Sequence, residues 1–223
     1  MHVHRPIILA SSSPRRQFLM KEMGYDFTII SPDVDESFSP TLPVEQVPSY
    51  LARKKAEILR HVITTEIVVA SDTVVILSGR IMNKPVDRAD AFAMLSALSG
   101  ETHTVVTAVC LLSNDKVVVF DDRTKVTFKK LTEQEINFYL DTFKPFDKAG
   151  AYGAQECLPA GLNPCSREEL LFLKAINKLD LIDKSISGTH AGAGMVAIEK
   201  IDGSYFTVMG LPIHQVYEQL NAF

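Results

Sequence analysis

Short apolar runs and amphipathic stretches alternate along the chain, and this pattern predicts strands and helices in turn. The apolar run 7–10 predicts a buried strand, and the stretch 14–23, which stops at Gly24, predicts a helix. The same reasoning predicts strands at 27–30, 67–70, 74–77, 102–112 and 117–128, and helices at 49–62, 88–98, 132–142 and after Pro212.

The order of these elements predicts an α/β fold with a central mixed β-sheet flanked by helices. The strands 102–112 and 117–128 form a predicted hairpin about Asn114 and Asp115, so the sheet is not purely parallel. Two further apolar stretches, 195–201 and 205–208, flank a turn. There is no internal repeat, low-complexity tract or long linker, so we expect residues 1–223 to form a single domain.

Composition narrows the classes of function. The net charge of −4 argues against nucleic-acid binding, which needs a basic face, but a basic pocket in an acidic protein suits a small anionic ligand. No apolar stretch reaches the roughly 20 residues that span a bilayer, and no signal peptide is evident, so no membrane partner is expected. Three cysteines without a CxxC pair favour a reducing, cytoplasmic location.

The segment from Ser11 to Arg16 predicts an anion site. Ser13 is a suitable N-cap and Pro14 a suitable first residue for the helix that follows. Serine hydroxyls, the free amides of the first turn and the guanidinium groups of Arg15 and Arg16 would then face one spot, which favours phosphate. An exposed loop or a kinase target site has a similar composition, so both alternatives remain open.

Two acidic positions are candidates for catalysis or metal binding. Asp72 lies where the apolar strand 67–70 ends, and its carboxylate could hold a divalent cation, activate water or simply close a turn. Glu36 belongs to the acidic stretch 33–36, which could equally be a solvated loop. If Glu36 and Asp72 meet in space, they make an oxygen site suited to Mg²⁺.

Two lysines and a glutamine complete the candidates. Lys55 could bind phosphate or belong to a solvated basic helix face, and Lys84 is held in extended backbone by Pro85. Gln155 ends the glycine-rich stretch 148–155, and its amide could pair with the edge of a nucleobase or lie on the surface of a turn.

The chain resembles the Maf family of nucleoside triphosphate pyrophosphatases. The matching segments occur in family order at 9–16, 33–36, 52–56, 70–75, 83–85, 99–105, 148–155, 203–205 and 210–212. The resemblance implies hydrolysis of a nucleoside triphosphate to monophosphate and pyrophosphate. The form KAGAYGAQ at 148–155 is similar to the branch that acts on dTTP and UTP.

The resemblance also implies roles for individual residues. The triphosphate would be held by Ser11, Arg15, Arg16, Lys55 and Lys84. Glu36 and Asp72 would be the catalytic carboxylates and the ligands of a divalent cation, Mg²⁺ or Mn²⁺, and Thr73 and Gln155 would help to read the base. The implied fold is an elongated, ITPase-like α/β domain with two lobes around a cleft, often a homodimer.

Two features depart from the family pattern. Asn83 replaces the usual glycine before the Lys-Pro pair. An insertion at about 156–192 follows Gln155, and its capping box predicts one helix flanked by loops. It could be a lid, a dimer contact or a packed surface ornament, and its place beside Gln155 bears on base specificity.

Two other functions compete with this interpretation. A nucleotide-binding regulator of cell division would use the same anion site without hydrolysis, and a phosphomonoesterase would release orthophosphate. The presence of Asp72 and Glu36 favours an enzyme that activates water. Whether Asp72 is the base, a metal ligand or both stays open.

Overall fold

The computed structural model describes residues 5–187 and 195–223, in which seven strands form one sheet. The strands are β1 (Ile7–Leu9), β2 (Phe27–Ile29), β3 (Ile67–Leu77), β4 (Arg80–Met82), β5 (Thr102–Leu112), β6 (Val117–Phe128) and β7 (Ile198–Asp202). The helices are α1 (Pro14–Glu22), α2 (Val47–Ile58), α3 (Arg88–Leu98), α4 (Glu133–Phe143), α5 (Ala154–Cys157), α6 (Arg167–Ala175), α7 (Asp180–Ser187), α8 (Tyr205–Met209) and α9 (Ile213–Asn221).

The sheet is mixed, as the sequence predicts. Its strand order is β2-β1-β3-β5-β6-β7, and β4 pairs with β3 outside this path. Strand β1 is parallel to both β2 and β3, whereas β4 runs antiparallel to β3 and β7 antiparallel to β6. The predicted α/β class with a central mixed sheet is therefore confirmed.

The chain divides into two compact units. The first comprises the described residues up to Thr73, with Val106–Asp122 and Gly210–Phe223. The second comprises Val74–Val105 and the described part of Arg123–Met209. The predicted arrangement of a single domain with a cleft between two lobes stays a prediction.

The core of the first unit forms where helix α2 packs on the sheet. Small residues on one face of the helix, Ala52 and Ala56, let it lie close to the strands, and both are fully buried. The same cluster contains Ala10, which follows β1, and the strand residues Ile8, Val68, Ala70, Ala108, Cys110 and Leu112. This packing fixes the position of α2, and thus of Lys55, against the sheet.

Part of the core of the second unit is aromatic. The His103 ring meets Phe128 and Tyr152 edge-on, with centroids 5.0 and 5.4 Å away, and those two rings lie 4.9 Å apart. Nε2 of His103 also lies 2.8 Å from the Tyr152 hydroxyl. Edge-to-face rings with a satisfied polar atom make a rigid layer, which supports the glycine-rich stretch at 148–155.

The structure differs from the sequence-based expectation in two places. Strand β3 continues without a break through Asp72, so the prediction that the strand ends before this residue is wrong. The segment 156–192 contains two helices, α6 and α7, instead of one, and its last residues, 188–192, lie outside the described residues.

No helix in the two described ranges has both the length and the apolar character needed to cross a membrane.

Candidate active site

The site begins where helix α1 starts. Ser13 occupies the predicted N-cap position with extended backbone, but its side chain makes no capping hydrogen bond. Instead, the Ser13 amide donates to Oγ of Ser11 over 3.2 Å. Pro14 at the first helical position preorganises the turn that carries Arg15 and Arg16.

The guanidinium group of Arg16 is held in one orientation by three acceptors. Its Nε donates to the Gly210 carbonyl over 2.8 Å, its Nη2 to Oγ1 of Thr73 over 3.0 Å and its Nη1 to Oγ of Ser11 over 3.4 Å. Burial lowers the pKa of Arg16, and the nearby Asp72 carboxylate opposes that shift. An arginine stays charged throughout the working pH range, so a fixed positive charge faces this site.

Lys55 joins the two predicted carboxylates. Its Nζ lies 2.5 Å from Oδ1 of Asp72 and 2.7 Å from Oε1 of Glu36. The Lys55 and Asp72 side chains are only 14% and 10% exposed, whereas Glu36 is half exposed. The structure therefore brings Glu36 and Asp72 to one point, which their sequence separation could not show.

Strand register explains how Asp72 reaches this position. Strand β1 pairs with β3 from Ile7 opposite Ile67 to Leu9 opposite Val69, and it then ends. Strand β3 continues beyond its partner, so Asp72 and Thr73 stand at the carboxyl edge of the parallel strands. Functional groups commonly gather at this edge in α/β sheets.

The carboxyl group of Asp72 has an altered acidity. Burial raises its pKa above the ordinary value for aspartate, while the positive charges of Lys55 and Arg16 oppose the rise. A carboxylate with a raised pKa accepts a proton more readily, which suits a general base.

Six of the predicted site residues are thus gathered in the first unit: Ser11, Arg16, Glu36, Lys55, Asp72 and Thr73. Arg15 belongs to the same unit, and its charge lowers the pKa of Arg16. Lys84 and Gln155 belong to the second unit, so their place in the same site stays a prediction. Lys84 is exposed and Gln155 is buried.

Three groups near Arg16 escaped the sequence reasoning. They are the Gly210 carbonyl, the Ser71 hydroxyl, which donates to that carbonyl over 3.2 Å, and the Thr107 hydroxyl, 2.9 Å from the Thr73 hydroxyl. Ser71 and Thr107 are polar positions inside apolar strands, and this contrast was a usable signal. A backbone carbonyl such as that of Gly210 leaves no such signal.

The acidic pair is a suitable donor set for a hard divalent cation. Within the described ranges, no group of three or more His, Cys, Asp or Glu side chains converges on one point. Mg²⁺ in nucleotide enzymes usually takes one or two carboxylates from the protein and further oxygens from substrate phosphates and water. Glu36 and Asp72 already face a shared cation, the Lys55 ammonium, so the pair fits that pattern.

Comparison with known proteins identifies the family. The family model described as "Maf-like protein" matches residues 6–162, well over half of the chain. The chain belongs to the Maf family. This match includes every site residue that the sequence predicted, whereas Gly210 lies beyond it.

Named Maf relatives match nearly the whole chain. A Parabacteroides distasonis protein named "dTTP/UTP pyrophosphatase" is 36% identical over 219 residues, covering 97% of this chain and 95% of that protein. A Bacteroides fragilis protein of the same name is 39% identical over 216 residues, covering 96% and 94%. A Flavobacterium psychrophilum protein, also so named, is 38% identical over 212 residues, covering 95% and 91%.

Solved structures give a weaker similarity. The Staphylococcus aureus Ham1 protein matches with a TM-score of 0.44 and 18% identity, over 82% of this chain and 99% of that one. A similarity at this level bears on neither fold nor function.

Proposed function

We propose that this Maf protein hydrolyses dTTP and UTP to the nucleoside monophosphate and pyrophosphate. Full-length relatives that carry the name dTTP/UTP pyrophosphatase support the reaction and its substrates. The single observation that carries the proposal is the contact of one nearly buried ammonium, Lys55, with both Asp72 and Glu36. A site that pairs cations for phosphate with acids for water activation is what this hydrolysis needs.

Positive charge binds the triphosphate. Arg16 is already oriented by three hydrogen bonds, and Arg15 lies on the same helical turn. The free amides at the start of α1 and the Ser11 hydroxyl add donors to these charges. Lys55 and Lys84 are further cationic ligands for the phosphates in this proposal.

Glu36 and Asp72 would hold Mg²⁺ or Mn²⁺. When bound, such a cation polarises phosphate oxygens and offsets the charge that develops during the reaction. The Lys55 ammonium, which contacts both acids, would also offer a donor to a phosphate oxygen. The half-exposed Glu36 can adjust its position, whereas the buried Asp72 is fixed by β3.

Asp72 activates the water. Its raised pKa lets it accept a proton as the water oxygen forms a bond to the α-phosphorus. The bond from that phosphorus to the oxygen bridging to the β-phosphate breaks, and pyrophosphate leaves. Arg16 and Lys55 stabilise the charge on the transferring group, so no covalent nucleophile is needed.

Two residues read the base in this proposal. Gln155 offers one donor and one acceptor to the pyrimidine edge. Thr73 presents a hydroxyl that is already bonded to Arg16 and Thr107, so base recognition and phosphate binding share one hydrogen-bonded group.

A panel of nucleoside triphosphates with Mg²⁺, scored for pyrophosphate and monophosphate, tests the proposal. We expect rapid pyrophosphate release from dTTP and UTP and slower release from CTP and purine nucleotides. Release of orthophosphate instead would indicate a phosphomonoesterase. Binding without turnover would indicate a regulator, a function under which the buried contact between Lys55 and Asp72 would have no chemical role.

We also propose that the protein acts in the cytoplasm as a homodimer. The buried thiols of Cys110 and Cys157 fit a reducing compartment, and family resemblance supports the dimer. Light scattering of the purified protein measures the assembly, and a monomeric mass at micromolar concentration would contradict it.

A further inference from the structure

A buried tyrosine of the second unit, Tyr139, forms hydrogen bonds with residues on both sides of Gln155, the predicted base-reading residue. The Tyr139 hydroxyl, carried by α4, accepts a hydrogen bond from the Gly153 amide over 2.9 Å and donates to Oε2 of Glu156 over 2.5 Å. Gly153 and Glu156 stand on either side of Gln155 in sequence. One phenol thus fixes the backbone before Gln155 and the side chain just after it.

The position of Glu156 is set by an ion pair and by close packing against a neighbouring residue. Its Oε1 lies 3.7 Å from Nζ of Lys148, and both side chains are nearly buried, with 13% and 11% exposed. A side chain at Gly153 would place its Cβ 2.9 Å from the Glu156 carboxylate, so a larger residue there would displace that carboxylate. A buried carboxylate is stable only with such partners, and its partners here are Tyr139 and Lys148.

Tyr139 is itself immobile. It is fully buried, and its ring stacks on Phe143 with centroids 5.1 Å apart. Burial and the neighbouring Glu156 carboxylate raise its pKa well above the ordinary value, so the hydroxyl keeps its proton and remains a donor. The ring of Tyr139 is therefore held by packing, and its hydroxyl is held by two hydrogen bonds.

We infer that Tyr139 is a positioning residue that sets base selectivity by fixing the backbone before Gln155, at Gly153, and the side chain after it, that of Glu156. It touches no substrate and acts only through Gly153 and Glu156. This inference rests on the proposed function, in which Gln155 reads the pyrimidine. Hydrogen bonds select a base only when donor and acceptor are held in place, and a shift of about 1 Å can cost on the order of a hundredfold.

The test compares UTP with CTP, which differ at the edge that an amide can read. Tyr139→Phe keeps the ring and removes both hydrogen bonds. We expect the ratio of kcat/KM for UTP to that for CTP to fall about tenfold or more, chiefly through a higher KM for UTP. Tyr205→Phe is the matched control, because it removes another buried hydroxyl of the same unit, bonded to Ser185, and should leave the ratio unchanged.

A second pair of variants covers a failure of Tyr139→Phe to fold. Glu156→Gln keeps an acceptor for the phenol and should retain the UTP preference, whereas Glu156→Ala removes it and should lower the preference. A folded Tyr139→Phe with the wild-type ratio overturns the inference, as does equal selectivity of the two Glu156 variants. Wild-type protein that releases no pyrophosphate from UTP or dTTP overturns the proposed function as well, and this is measured first.

Discussion

Nζ of Lys55 lies 2.5 Å from Oδ1 of Asp72, although helix α2 carries one residue and strand β3 the other. Small side chains on α2 permit this approach, since Ala52 and Ala56 pack directly on the sheet. The contact offsets the cost of burying Asp72 and keeps a proton acceptor beside the phosphate-binding charges.

Asp72→Asn separates catalysis from folding. The change removes the proton acceptor but keeps the shape, so we expect kcat to fall about a thousandfold.

Because burial raises the Asp72 pKa in the folded state, ionised Asp72 costs stability, and this cost appears as pH rises through that pKa. The variant should therefore match or exceed the wild-type melting temperature at neutral pH, with a smaller difference in acid. Near wild-type turnover would remove Asp72 from the mechanism.

Lys55→Met tests the electrostatic part of the pair. Without the ammonium, the Asp72 pKa rises further, since Lys55 is the largest of the influences that lower it. We expect the acidic limb of the pH profile of kcat/KM to move toward higher pH, together with weaker triphosphate binding. An unmoved limb would show that Asp72 is not the group whose ionisation the profile reports.

Much of this site could be predicted from the sequence because its residues lie in ordered motifs. Six of its residues are polar and lie in or beside a recognisable element, and the family resemblance assigned them to one site. They are Ser11, Arg16, Glu36, Lys55, Asp72 and Thr73. Their actual contacts depended on facts that no local pattern contains. The meeting of Glu36 with Asp72 follows from parallel pairing of β1 with both β2 and β3.

The differences between the sequence-based expectation and the structure have equally specific causes. The apolar run before Ser71 suggested a strand end, but β3 continues because β4 pairs with it at Val75–Leu77 after β1 has stopped. Helix α8 also depends on a tertiary contact, because Glu169 accepts hydrogen bonds from the amides of Tyr205 and Phe206 at its start. Tertiary contacts of this kind override local propensity.

Arg16→Lys tests whether the fork geometry of the guanidinium matters. A lysine keeps the charge but cannot serve Gly210, Thr73 and Ser11 together. We expect kcat/KM for dTTP to fall about tenfold or more. Arg5→Lys is the control, because Arg5 also donates to backbone carbonyls of the first unit, those of Thr65 and Glu66, but lies outside the site. Equal losses in both variants would contradict a specific role for Arg16.

Glu169→Ala tests whether the segment after Gln155 is part of the core of the second unit. The Glu169 carboxylate is buried and accepts from the Ser204 hydroxyl over 2.6 Å and from the amides of Ser166 and Tyr205 over 2.9 and 3.1 Å. Removing it leaves these donors unpaired, so we expect a loss of about 3 kcal/mol in the free energy of unfolding. Denaturant titration measures it, with the exposed neighbour Glu168→Ala as control. Equal stability of both variants would make this segment a surface ornament.

His103 makes the stability of the protein depend on acid. Burial lowers its pKa to about 4, so the ring is neutral in the folded protein, whereas in the unfolded chain it takes up a proton near its ordinary value of 6.5. The neutral His103 ring therefore contributes fully to the free energy of unfolding above pH 6.5. This contribution is lost as pH falls toward 4, by about 3 kcal/mol in total. Replacing His103 with Gln, which can still bond the Tyr152 hydroxyl, should flatten the decline in unfolding free energy across this range. The exposed His61→Gln serves as control, and an equally steep decline in the His103 variant would assign the acid sensitivity to other groups.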